Sequence, residues 1–144
     1  MYHYTECGLP NVWLVNGFTP HTTPYGEAMV IENVEGLHRA IGMRLVSQKP
    51  YLTGCEFRFL RKELDLSQNA LAGYFGNDAQ SVALWEKRGR VPKWADRFLR
   101  AIYREHMEGN AHIREIVARL NDLDRQEHER QVFEDTPQGW RAAA

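Results

Sequence analysis

The stretch from Leu66 to Lys87 constrains this chain more than any other. It reads Leu-Ser-Gln-Asn-Ala-Leu-Ala-Gly-Tyr-Phe-Gly-Asn-Asp-Ala-Gln-Ser-Val-Ala-Leu-Trp-Glu-Lys. Ser67 is a strong N-cap, because its oxygen accepts from an amide with no helical partner. The spacing predicts a short helix over 68–75 with Leu71 and Phe75 inward, stopped by Gly76, which tolerates the left-handed conformation. Asn77 or Asp78 then caps a second helix over 79–87, with Val82 and Trp85 facing in. Helices this short, joined by so brief a turn, cannot lie antiparallel. They cross, and Ala72 is small enough to let them do so closely. That is helix-turn-helix geometry. It leaves Ala79, Gln80, Ser81, Ala83 and Leu84 on exposed or half-exposed faces.

The same segmentation extends on both sides. Thr53-Gly54-Cys55-Glu56 reads as a capping box that opens a helix with Phe57, Leu60 and Leu64 on one face. After a loop at 88–91, Pro92 fits the first turn of another helix, whose apolar face runs through Trp94, Phe98 and Ile102 to about residue 106. Gly109-Asn110 ends it. A last helix is expected over 111–130, with Ile113, Ile116, Val117, Leu120 and Leu123 in one stripe. That stripe is core or a dimer seam.

The first fifty residues have a different pattern. A strand over 11–15, an Asn16-Gly17 pair suited to a type I′ turn, and Phe18-Thr19 predict a hairpin. Pro20 and Pro24 interrupt the next segment, before a further strand over 27–32 and a helix over 37–47. No internal repeat is expected. The fold class is therefore α+β, mainly α. Residues 1–52 form a small hairpin-plus-helix module, 53–107 the helix-turn-helix domain, 108–131 the last helix, and 132–144 a frayed tail.

Length and composition narrow the class further. The chain has 144 residues, about one domain, and its 43% hydrophobic and 26% charged content argues against wholesale disorder. The longest aliphatic run, Ala28-Met29-Val30-Ile31, is far short of a membrane span, so no membrane partner is expected. The N-terminus has no basic start followed by an apolar run, so no secretory signal is read there. Cys7 and Cys55 sit far apart with no CxxC pair, which points to a reducing, cytoplasmic setting. Formal net charge is −1, but it is segregated: −1 over residues 1–52, +3 over 53–107 and −3 over 108–144. The positive excess lies where a phosphate backbone would be met.

The run LSQxxLAxxxG followed by SVxLWEKxxxxVP resembles the Cro/repressor-type (XRE) helix-turn-helix family. The resemblance covers about 53–107 and implies a DNA-binding transcriptional regulator, a repressor, that reads double-stranded DNA through the major groove. By the family's pattern, base contacts fall to Ala79, Gln80, Ser81 and Ala83. Phosphate contacts fall to Gln68, Arg88 and Arg90, with Lys93 beside them. Gln80 has the chemistry to pair bidentately with adenine, and Ala79 or Ala83 to touch a thymine methyl. Arg58, Arg61 and Lys62 add cations on the preceding helix. Regulators of this kind act as two-fold homodimers on pseudo-palindromic operators, since one half-site offers few base contacts.

Residues 2–17 and 36–41 are similar to the MqsA/YgiT-like regulators, some of which are antitoxins that bind a toxin and repress their own operon. Their paired CxxC zinc ligands are missing here, so no metal and no cofactor is expected. His3, Cys7, His21 and His38 match no compact ligand pattern, and no catalytic motif of the common hydrolase, nucleotide-binding or metalloprotease types is present, so no enzyme is expected. Two alternatives to a plain regulator stay open. One is an antitoxin that autoregulates its operon, and the other is a protein-interaction module that kept the fold without DNA binding.

Overall fold

The computed structural model describes residues 1–110, 112–115, 117–118 and 130–143. Short strands β1 (Tyr2–His3) and β2 (Trp13–Leu14) pair antiparallel, and β3 (Phe18–Thr23) pairs with β4 (Gly26–Ile31). Helices α1 (Val34–Gln48), α2 (Gly54–Glu63), α3 (Gln68–Phe75), α4 (Ala79–Arg88) and α5 (Lys93–Met107) come next. Residues 112–115 and 117–118 are helical, and β5 (Phe133–Thr136) with β6 (Gly139–Ala142) closes the chain. The class is mainly α with small antiparallel strand pairs.

The expected Asn16-Gly17 hairpin is replaced by a different pairing. A type I′ turn needs positive φ at both central residues, and only Gly17 has it, at 79°. The strand at Trp13–Leu14 pairs back to the N-terminus, and the hairpin turn falls at Pro24-Tyr25. There the proline fits the first turn position and Gly26 takes φ 119°. The Thr23 hydroxyl donates to the Gly26 carbonyl at 2.6 Å and locks the turn. Pro20 is tolerated inside β3 because both strands of a two-stranded ribbon are edges.

Residues 132–144, expected to be frayed, contain a second hairpin built the same way. Thr136-Pro137-Gln138-Gly139 repeats Thr23-Pro24-Tyr25-Gly26 in its threonine, proline and glycine. Again the threonine hydroxyl donates to the glycine carbonyl at 2.6 Å, and Gly139 has φ 112°.

The helices begin where the capping residues place them. Thr53 accepts from the Glu56 amide while the Glu56 carboxylate accepts from the Thr53 amide, so the capping box forms. Ser67 caps α3 and Asp78 caps α4. α1 starts earlier than expected because Asn33, at φ 49°, caps it by accepting from Gly36. Pro92 is the residue before α5 rather than inside its first turn.

Phe57, Leu60, Leu71, Val82, Leu99 and Tyr103 form the centre of one continuous core, which Leu9, Leu45, Val46 and Leu52 also join. The N-terminal module is thus packed on the helical part. Gly42 of α1 gives room to Tyr103 of α5, where any Cβ would collide with the phenol. Asp96 accepts from the Leu52 amide at 2.7 Å and pairs with Arg100, which also donates to the Lys49 carbonyl. His38 links the same two parts, within 2.7 Å of the Tyr4 hydroxyl and 2.9 Å of Glu63. Of the expected C-terminal stripe, Ile113 is half-buried and Val117 is buried in the core. Ile116, Leu120 and Leu123 lie outside the described residues.

Candidate nucleic-acid interface

The turn between α3 and α4 depends on Gly76, at φ 73°, where a side chain would be strained. Ala70, Leu71 and Ala72 are buried at the crossing. Gly73, by contrast, faces open space and has no part in it. On the other side of α4, a Cβ on Gly54 would strike the carbonyls of Trp85 and Glu86, so α2 begins in tight contact with α4.

Glu86 fixes α4 in place. Its carboxylate takes Arg61 Nε at 2.7 Å and Nη2 at 3.0 Å, a bidentate pair buried on both sides. Gln68 Nε2 donates to the same carboxylate at 3.1 Å, and Arg61 Nη1 donates to the Leu66 carbonyl at 2.8 Å. One glutamate therefore straps α4 to α2 and to the start of α3. The Trp-Glu pair is visible as a motif in the sequence, but its partner Arg61 reads there as one of the surface cations. In the fold Arg61 is internal, and removing either member of such a buried pair would strand the charge of the other.

The expected base-reading residues come together on the first turns of α4. Gln80 is exposed, while Ala79, Ser81 and Ala83 are half-buried around it, and Leu84 is exposed further along. Asp78 stands at the same end. Its carboxylate accepts from the Ser81 amide at 2.8 Å, and that hydrogen bond first of all holds its pKa below the ordinary aspartate range. An ionised carboxylate thus sits beside the face proposed for DNA, at a position that reads in the sequence only as a cap.

Among the expected phosphate contacts, Arg88, Arg90 and Lys93 are exposed at the C-terminal end of α4 and just beyond it. Gln68 is half-buried, with one amide N–H already given to Glu86. Glu86 therefore fixes its orientation. Burial also sharpens the charge balance. With Glu56, Arg61, Glu86, Asp96 and Arg100 buried, the surface of 53–107 keeps eight basic and four acidic side chains.

Periodicity places Trp94 and Phe98 inward, yet they remain 49% and 40% exposed. With Tyr74, Phe75 and Trp85 they form a surface aromatic cluster with ring centroids 5.0–6.3 Å apart. α5 is wide enough to bury Ala95, Leu99, Ile102 and Tyr103, and those four already fill the core side. Cys55, in the first turn of α2, is exposed.

Among the described residues no three of His, Cys, Asp and Glu converge as a metal site. His3 stacks on Trp13 instead, and His21 is exposed on β3. None of the described helices is long and apolar enough to cross a membrane. No family model, curated protein or solved structure matches the chain.

Proposed function

We propose that this chain is a sequence-specific, double-stranded-DNA-binding transcriptional regulator of the Cro/repressor type, acting as a repressor. The observation that carries the reading is a short helix held by a buried strap, with its N-terminal face open and cations at its far end. Gln80 reads a base edge from that face, with Ala79, Ser81 and Ala83 making the close contacts around it. Arg88, Arg90, Lys93 and Gln68 hold the phosphates and set register. Selecting duplexes from a random pool with the full chain tests this. A dimeric sequence reader enriches one sequence with two related halves, and an unenriched pool contradicts the proposal.

The protein is proposed to work as a homodimer. Val117 of the C-terminal stripe is spent on the core of its own chain. The aromatic cluster at Trp94 and Phe98 is an exposed apolar surface on α5 that could serve for pairing. Sedimentation at tens of micromolar should show a dimer, and Trp94→Ser with Phe98→Ser should return it to a monomer.

One observation favours a second reading, the autoregulating antitoxin. Among the described residues no third strand pairs with the ribbon β3–β4, so both its edges are available for strand addition by a protein partner. Co-purification of a neighbouring gene's product with the full chain, lost when residues 19–30 are replaced by a short linker, would support it. Residues 1–52 alone are unsuitable, because Leu9, Leu45 and Val46 belong to the shared core.

A further inference from the structure

We propose that the cleft between the N-terminal segment and α1 binds a small organic anion with a flat apolar body, its charge held by Arg44. This site is separate from the face of α4 and does not depend on the DNA reading. Its volume is about 370 Å³, within the range of small-molecule sites.

The cleft is built from parts that are already rigid. Leu9, Val12, Ile41 and Leu45 line it, and Leu9 and Leu45 are core residues at 2% and 7% exposure. Trp13 adds an aromatic wall that is 56% exposed. Its indole is stacked on His3 with centroids 4.1 Å apart and planes 9° from parallel. His3 in turn is tied to the Pro10 carbonyl at 2.6 Å, so the wall is fixed before any ligand arrives. A large aromatic held in place yet left in water is suited to covering a flat apolar body.

The charges select the sign of the ligand. Three charged side chains line the cleft: Arg44, Lys49 and Glu56. Glu56 is already engaged, with one oxygen accepting from the Thr53 amide at 2.9 Å and the other 3.4 Å from Lys49 Nζ. Lys49 is spent on that contact. Arg44 has no hydrogen bond or ion pair among the described residues, so one positive charge stands uncompensated beside an apolar floor. A carboxylate meets a guanidinium through two parallel hydrogen bonds, and the surrounding apolar walls strengthen the pair. A neutral molecule would leave Arg44 unpaired, and a cation would be repelled.

The test is isothermal titration calorimetry of the full chain with 2-naphthoate and with its neutral counterpart 2-naphthamide. Naphthoate should bind one per chain, about tenfold or more tighter than naphthamide, as expected for a charge-assisted hydrogen-bonded pair. Arg44→Gln should remove that preference while leaving naphthamide unchanged, and Trp13→Ala should weaken both. Arg44 is exposed, so its substitution should leave the thermal unfolding midpoint in place. Arg44→Lys provides a second variant that keeps the charge and loses the fork. Equal binding of the two probes overturns the proposal, as does naphthoate binding indifferent to Arg44, or no naphthoate binding at millimolar concentration.

Discussion

The α3–α4 unit and the β3–β4 ribbon are both pairs of short elements joined by a tight turn with a positive-φ glycine, yet they are secured in opposite ways. The helix pair is anchored from outside itself, since Arg61 of α2 reaches Glu86 of α4, and the same carboxylate ties α4 to Gln68 of α3 within the pair. The ribbon is held almost wholly by its own ladder and its turn, with Tyr2 against Phe18 as the one ring contact to another strand among the described residues. A rigid face suits reading a fixed DNA groove. A free ribbon suits meeting a partner that supplies the missing cover.

Glu86→Ala should break the first half of this contrast with the largest effect. It strands the buried Arg61 charge and should cost about 3–5 kcal/mol in urea unfolding. A cost under about 1 kcal/mol would show that packing alone holds α4.

Asp78→Ser keeps the cap of α4 and removes its charge. Binding to any duplex should tighten at low salt, and the gain should shrink as salt rises. The same substitution carries a pH signature. Because the folded pKa of Asp78 is lowered, its capping contribution is fully present above the ordinary aspartate value. The contribution is lost as pH falls through the lowered folded value. The serine variant should lack that part of the acid destabilisation.

Gly73→Ala sharpens the comparison in the stabilising direction. Nothing crowds that position, and alanine in a helix interior is favoured over glycine, so stability should rise by about 0.5–1 kcal/mol. Pro20→Thr in the ribbon should move stability least, within about 0.5 kcal/mol. Hydrogen exchange should then find the β3–β4 amides far less protected than those of α2–α4.

Legibility in the sequence divides along the same line. Ser67, Gly76, Thr53 with Glu56, and Asp78 act on neighbouring amides, so local chemistry suffices to place α2, α3 and α4 within a residue of where they stand. The Arg61–Glu86 pair is not legible, because its two ends lie 25 residues apart and an arginine on a helix reads as solvated. Trp94 and Phe98 are misplaced because periodicity gives a helix face, while the space behind it depends on the whole core. The hairpins are another matter. Thr-Pro-x-Gly occurs twice and forms the same locked turn each time, so a signal is present at Thr23 and Thr136. Asn16-Gly17 is the more familiar hairpin signal and outweighs it on local grounds. For the interface, Gln80, Arg88, Arg90 and Lys93 lie exposed where expected, while the tether on Gln68 is visible only in three dimensions.

The proposed function rests on the open face of α4 reading DNA sequence. Fluorescence anisotropy with the duplex immediately upstream of the coding region, against a scrambled duplex at two salt concentrations, tests it most directly. Base reading by α4 predicts tighter binding to the native duplex, a preference reduced by about 1–3 kcal/mol in Gln80→Ala, and salt sensitivity on both duplexes. Equal binding to the two duplexes, unmoved by Gln80→Ala and governed by salt alone, would contradict it.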